Sequence, residues 1–194
     1  MDRLPTLTTT RLRLRHLDPG DVAALYAIFS DLRVMRFWSS GPLADVAAAA
    51  ALRDDVERLA REDALYQWGI ERRDAPGVVG TATLFRIDRT HRRAEIGFAL
   101  HPEQWGRGYA GEAVGALVAH AFDERGLHRL EADVDPRNEA SLRVCERLGF
   151  VREGLLRERY HVNGEIQDSV ILGLLAPAWQ SRRSLVTSHL RLRG

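Results

Sequence analysis

The stretch with the clearest chemical potential is Trp105-Gly106-Arg107-Gly108-Tyr109-Ala110-Gly111-Glu112-Ala113, a glycine-rich turn that opens an apolar-striped segment running to Phe122. Glycines here remove the Cβ atoms that would hold a ligand off the backbone, and a helix starting at the turn leaves its first N–H groups without intrahelical partners. Such a loop suits an anion, phosphate above all. Glycines before a helix also serve close packing, so the spacing alone leaves both readings open. A second stretch, Asn138-Glu139-Ala140-Ser141-Leu142-Arg143-Val144-Cys145-Glu146-Arg147-Leu148-Gly149-Phe150, follows the strand-like Leu130 to Val134. Asn138 and Ser141 stand where this helical pattern opens, as capping or back-bonding residues do. Cys145 is the sole cysteine, which excludes an internal disulfide. It falls at an apolar position between Leu142 and Leu148 with no His beside it, and reads as a packing thiol.

Gly106-x-Gly108-x-x-Gly111 also spells a dinucleotide fingerprint, with Glu131 about where a ribose-binding acid would stand. The context argues against it. Such a fingerprint follows its strand directly, whereas His101, Pro102, Glu103, Gln104 and Trp105 intervene after Leu100. The segment before the motif reads as an antiparallel meander, not as repeated βαβ units.

Together the two stretches resemble the GNAT superfamily of N-acetyltransferases. Its acetyl-CoA loop follows Gln/Arg-x-x-Gly-x-Gly/Ala, whose end is filled by Gly108 and Ala110. Its later segment, Asn-x-x-Ser-x-x-x-x-x-x-x-Gly-Phe, is filled by Asn138, Ser141, Gly149 and Phe150. Trp105 stands where Gln or Arg is usual, as in the branch that acetylates ribosomal-protein N-termini (Rim-type enzymes). The likeness runs from Thr9-x-Arg11-Leu12-x-Leu14-Arg15 to about Leu174.

The resemblance implies an acetyl-CoA-dependent N-acetyltransferase that acts by direct attack of an amine on the thioester, without a metal. It places acetyl-CoA on the loop residues Trp105, Gly106, Arg107, Gly108, Tyr109, Ala110 and Gly111. The pantetheine arm would lie in the sheet's splay, taking backbone groups of Phe98, Ala99 and Leu100. Asn138 would orient the pantetheine amides or the helix start, and Ser141 would bond the cofactor or protonate the thiolate. Tyr160 is the alternative acid. Arg143 and Arg147 are candidates for the nucleotide phosphates, though each also fits a solvated helix face. The resemblance makes Glu95 the base, usually through a water. Period 2 puts Glu95 on one face with Gly97 and Ala99, and a partly desolvated cleft would raise its pKa. The bland alternative is a solvated Glu95 paired with Arg93 or Arg86. Glu112, in the helix's first turn, suits the dipole and reads as a capping carboxylate.

The acceptor is where the sequence says least. Arg36, Trp38 and Tyr160 are expected around it, as aromatic walls with a positive rim that disfavours polycations and suits a peptide α-amine, a ribosomal-protein N-terminus being one form. A small-molecule amine acetyltransferase and a non-catalytic acyl-CoA-binding protein are the alternatives.

The elements that must position these residues follow from patterning. Leu12, Leu14 and Leu17 interleaved with arginines predict a half-exposed strand. Asp18-Pro19-Gly20-Asp21 supplies capping for a helix through Phe29, and a second helix spans about Ala44 to Ala60. Between them, the aromatic segment Val34 to Pro42 either plugs the core or lines a pocket. Strands are predicted at Tyr66 to Glu71, Val78 to Ile87 and Arg93 to Leu100, then a helix Gly108 to Glu124, a strand Arg129 to Asp135 and a helix Asn138 to Leu148. Two last strands, around Leu155 to His161 and Gln167 to Leu174, are joined at Asn163-Gly164, a strong hairpin signal. The order β-α-α-β-β-β-α-β-α-β-β describes an α/β (α+β) fold. With the resemblance it implies a mixed seven-stranded sheet, helices on both faces, splayed between the strand ending at Leu100 and the strand Arg129 to Asp135.

A chain of 194 residues that is 45% hydrophobic and 28% charged suits one domain, read as residues 1–180 with a basic tail at 181–194. Its net charge of +1 gives no global pull toward nucleic acid or anionic membrane. All its basic residues are Arg, so an anion site must use guanidinium and backbone N–H groups. The run Val46 to Leu52 is far too short to span a bilayer, and no signal pattern is seen, so a cytoplasmic monomer or homodimer without a membrane partner is expected.

Overall fold

A computed structural model describes residues 4–162 and 164–182. The chain begins with a two-residue strand β1 (Leu7–Thr8) against β2 (Leu12–His16), an eighth strand beyond the seven expected. Two residues are too few to leave a period-2 signature. In β2, Leu12 and Leu14 are fully buried while Arg13 faces out, as the alternation predicts. Asp18 and Asp21 form a reciprocal capping box over a single 3₁₀ turn, Pro19–Asp21, which leads into α1 (Val22–Phe29). A short α2 (Leu32–Met35) follows, and α3 (Val46–Arg61) starts where Asp45 accepts the Ala48 N–H.

β3 (Leu65–Arg72), β4 (Val78–Asp88) and β5 (Arg93–Leu100) form the expected antiparallel meander. Then come α4 (Tyr109–Asp123), β6 (Arg129–Val134), α5 (Glu139–Leu148) and the hairpin β7 (Val151–Val162) and β8 (Glu165–Leu175). The hairpin closes at the pair Val162↔Glu165, and Asn163 of its turn lies outside the described residues. Residues 176–182 are helical, which takes in the first two residues of the expected tail, and Arg182 Nη2 donates to the Arg147 carbonyl at 3.2 Å. The rest of the expected basic tail, 183–194, lies outside the described residues.

The strands form one sheet in the order β1-β2-β3-β4-β5-β6-β8-β7. One neighbouring pair, β5–β6, is parallel, and its register runs only over Arg93↔Arg129, Ala94↔Leu130 and Glu95↔Glu131. Beyond Glu95 the two strands part, β5 continuing to Leu100 and β6 to Val134, and this opening is the expected splay.

Two cores fix the sheet. On one face, Leu12, Leu14, Trp68, Ile70, Leu84 and Ile96 pack with the α4 residues Val114, Leu117 and Val118 and with Leu142 and Cys145 of α5. On the other, Leu25, Ile28 and Phe29 of α1 meet Leu17, Ala49, Val78 and Ala99, together with Val34 and Met35. Burying each such Leu, Ile or Phe side chain contributes roughly 1.5–3 kcal/mol. The aromatic segment does both things considered for it, because Val34 and Met35 plug the second core while Phe37, Trp38 and Ser39 line a cleft. Cys145 is fully buried, and burial pushes its thiol up to about 12, the state of an inert packing residue. Among the described residues no helix is long and apolar enough to cross a membrane.

Candidate active site

A cleft of about 170 Å³ opens at the splay. Phe85, Arg86, Glu95, Gly97 and Phe98 form its β4–β5 wall, and Asp133 and Asp135 its β6 wall. Asn138 and Ser141 come from the start of α5, Phe37 and Trp38 from the segment after α2, and Tyr160, Gln167 and Asp168 from the last hairpin. A larger open groove of about 600 Å³, between the end of β2 and α3, contains none of the residues expected to act.

Glu95 lies at the last paired position before β5 and β6 part, with its side chain 8% exposed. Burial raises its pKa above the ordinary carboxylate value; Arg86, 2.7 Å away, opposes that rise and Asp133 reinforces it. Glu95 is therefore paired with Arg86 but is not solvated. Arg93 turns instead to Glu131 at 3.3 Å and Asp88 at 3.6 Å.

Opposite stands a hydrogen-bonded group centred on Asp133. Its carboxylate accepts from the Tyr160 hydroxyl at 2.7 Å and from the Ser169 hydroxyl, and pairs with Arg159 at 3.0 Å. Burial and the bond to Asp133 raise the Tyr160 pKa, keeping the phenol neutral with its one proton directed at a carboxylate. Ser141 differs: its backbone N–H reaches Asn138 Oδ1 at 3.2 Å, which caps α5, while its hydroxyl has no partner among the described residues. Burial would raise Asp135, but the Arg137 guanidinium at 2.7 Å and the Arg137 N–H hold it below the usual range.

The glycine loop sits at the N-terminus of α4. Gly106 and Gly108 have φ of +72° and +77°, and Gly108 is the N-cap with no side-chain cap bond. Among the described residues, nothing beyond the adjacent chain lies within 4 Å of where a Cβ would stand at Gly106 or Gly111, and Arg11 Nη2 lies 3.4 Å from that point on Gly108. Tyr109 is buried and Ala110 packs at the edge of the core. Glu112 does not cap the helix. It accepts from the Thr9 hydroxyl at 2.6 Å and from the Arg11 N–H and Nε at 2.7 Å each, which hold its carboxyl below the ordinary range against the effect of burial.

Three other expectations are redirected. Trp105 folds back, its indole N–H donating to the Leu100 carbonyl at 2.9 Å, so that this carbonyl is occupied. The His101 N–H bonds the Val79 carbonyl at 2.9 Å, which sets the alternation along β5: Ala99 directs its backbone groups to β4, and Phe98 and the Leu100 N–H face the splay. Arg143 pairs with Glu139 at 2.8 Å and Arg147 is exposed, the solvated-face arrangement that the sequence left open for both.

Around the mouth, Arg86, Arg159 and Arg137 spend their charge on Glu95, Asp133 and Asp135, so the expected positive rim is largely neutralised. Arg36 is exposed beside Phe37, its guanidinium 5.1 Å from the ring centroid, and makes no ion pair among the described residues. Trp38 packs edge-on against Phe29 at 5.4 Å. Asp168 accepts the Glu158 N–H at 2.8 Å and has no cationic partner among the described residues.

The sequence reading missed Asp133 and Asp168 and named Arg86 only as the partner of a solvated Glu95. One signal was available for the first: Glu131, Asp133 and Asp135 recur at period 2, an acidic face on a strand whose other face is Leu130, Ala132 and Val134.

The chain is similar to several known proteins. The model of the acetyltransferase (GNAT) domain matches residues 11–151. An uncharacterized N-acetyltransferase of Bacillus subtilis, YoaA, is 35% identical over 89% of this chain and 98% of its own. A putative ribosomal N-acetyltransferase of the same organism, YdaF, is 36% identical over 54% of this chain and 57% of its own. The spermidine N-acetyltransferase of Vibrio cholerae, solved with CoA and spermine, shares the fold with a TM-score of 0.80 at 24% identity, over 89% of this chain and 99% of that one.

Proposed function

Given that the chain belongs to the GNAT acetyltransferase family and is an acetyl-CoA-dependent N-acetyltransferase, we propose that its acceptor is a peptide α-amine, attacking the thioester directly, with Glu95 as base and Ser141 serving the leaving thiolate. The carrying observation is that a buried Glu95 and an unengaged Ser141 hydroxyl line one cleft at the point where β5 and β6 part.

Each role has a physical basis. The loop N–H groups of Gly106 to Gly111 and the α4 dipole suit the pyrophosphate. Phe98, with both backbone groups toward the splay, suits an amide-bearing arm laid along β5. Glu95 accepts the proton that the attacking nitrogen loses, directly or through a water, and its raised pKa keeps it effective. The Ser141 hydroxyl donates a hydrogen bond to the sulfur as the C–S bond breaks. The Ser169–Asp133–Tyr160 group holds the phenol ring as a wall, which leaves Tyr160 a shaping role in preference to that of acid.

Proton availability favours an α-amine. Its pKa of about 7.7–8.0 leaves roughly a tenth to a sixth neutral at pH 7, against less than a thousandth of an amine near 10.4. Arg36, which makes no ion pair among the described residues although its charge is felt by Asp135, stacks over the cleft residue Phe37 and would meet the carbonyl or acidic side chain that follows a peptide N-terminus. YdaF, putatively a ribosomal N-acetyltransferase, accords with this reading.

A polyamine acceptor is the second reading. Asp168 favours it as a cleft carboxylate with no cationic partner among the described residues, as does the 26% identity to the spermidine N(1)-acetyltransferase of Vibrio cholerae. Thiol release with acetyl-CoA and a panel of short peptides, spermidine and an aminoglycoside decides between them. Peptides with small first residues are expected to give the highest kcat/KM; a value for spermidine above every peptide overturns the α-amine assignment.

A further inference from the structure

The Thr9-x-Arg11 pair at the start of the chain lies against the glycine loop. Arg11 donates its N–H to Glu112 Oε1 and its Nε to Glu112 Oε2, both at 2.7 Å, and its Nη1 to the Arg107 carbonyl at 2.8 Å. Its guanidinium carbon stands 4.7 Å from the centroid of the Tyr109 ring. Nη2 has no hydrogen-bond partner among the described residues and lies 3.4 Å from where a Cβ on Gly108 would be. Thr9 adds its hydroxyl to Glu112 at 2.6 Å and accepts the Leu12 N–H at 2.9 Å, which ties the arrangement to the start of β2.

We propose that Arg11 is a positioning residue for acetyl-CoA, a splint that holds the glycine loop in its binding shape from outside the loop. Two left-handed glycines on either side of Arg107 give a chain segment with many alternatives, and ordering it costs more than ordering other residues. No side chain of the loop itself caps α4. Arg11 supplies what the loop lacks: a fork that fixes Arg107 through its carbonyl and Glu112 through its carboxylate, on either side of Gly108. With the shape fixed before binding, less ordering is charged against affinity. The free Nη2 adds positive charge beside the same glycine, and only a planar fork makes all these contacts at once.

The inference deepens the assignment of the loop to acetyl-CoA, and the experiment separates the two. Calorimetry on the wild-type protein first establishes acetyl-CoA binding; no binding there overturns the loop assignment itself. Arg11→Ala is then expected to raise KM for acetyl-CoA by about tenfold or more, the scale of one lost charge-assisted hydrogen bond, with kcat and the acceptor KM within about twofold. Arg11→Lys keeps a charge without the fork and should stay nearer to Ala than to wild type. Hydrogen exchange of residues 105–112 in the ligand-free protein should quicken in both variants, a readout that does not depend on turnover. Where Arg11→Ala fails to fold, Thr9→Val removes one tie to Glu112 and should move the same two quantities in the same direction. An unchanged acetyl-CoA KM in a folded variant, full rescue by Lys, or loop exchange equal to wild type overturns the proposal.

Discussion

The Tyr160 hydroxyl donates to Asp133 Oδ2 at 2.7 Å, across the mouth of the splay from Glu95. A phenol whose only proton is held by a carboxylate, with burial raising its pKa further, is poorly placed to give that proton to a thiolate. The Ser141 hydroxyl has no partner among the described residues. Ser141→Ala is therefore expected to lower kcat by about tenfold or more, and Tyr160→Phe by less, in steady-state thiol-release assays. A larger kcat loss for Tyr160→Phe than for Ser141→Ala would reverse the two roles.

Glu95→Gln should lower kcat by roughly 10²-fold or more with little change in acetyl-CoA affinity, the usual scale for one general base. A base works deprotonated, so wild-type kcat/KM, after correction for the neutral fraction of the acceptor amine, should fall as pH drops through the Glu95 pKa, which burial places above the ordinary Glu value. Arg86 opposes that shift, and Arg86→Ala should move the acidic limb to still higher pH. A pH–rate profile of the Arg86 variant that superimposes on wild type would remove Glu95 as the titrating base.

How much of this was legible in the sequence depends on how local each signal is. Gly106 and Gly108 were legible because a left-handed turn before a helix calls for glycine, and both have positive φ. The face of Glu95 was legible through β5's alternation, its part as base only through the family resemblance, and Asn138 through its capping position. Arg11 and Glu112 were not joined, because 101 residues separate them and their pairing exists only once β2 and α4 share a face of the sheet. Leu100 looked available until the Trp105 indole folded onto it, a tertiary contact that leaves no periodic trace. Ala99 was assigned with its neighbours because which backbone groups face the splay depends on the pairing register, set here by His101 and Val79. The short α2 was missed since four residues cannot show a helical period.

Gly108→Asp places a Cβ and a negative charge on a residue with φ of +77°. The left-handed backbone costs an L-residue roughly 1–2 kcal/mol, and repulsion of a phosphate adds to it. The dissociation constant for acetyl-CoA should rise at least tenfold while far-UV circular dichroism stays unchanged. Unaltered affinity by calorimetry would mean that the pyrophosphate lies elsewhere.

At the acceptor end, Trp38→Ala and Arg36→Ala should each raise KM for a peptide acceptor several-fold and leave the acetyl-CoA KM unchanged, since Trp38 lines the cleft and Arg36, outside its lining, stacks over the cleft residue Phe37. Removing Trp38 also deprives Phe29 of its edge-on partner, so melting temperatures must accompany the kinetics. Matching increases in both KM values would place these residues outside the acceptor pocket.

The most direct test of direct acetyl transfer to an α-amine is time-resolved mass spectrometry of the protein, acetyl-CoA and a short serine-initiated peptide in one vessel. Acetylation of the peptide's α-nitrogen should rise at the rate at which free thiol appears, with no acetyl mass on the protein at any time. An acetylated protein that forms first and then decays, or thiol release with the peptide mass unchanged, would contradict it.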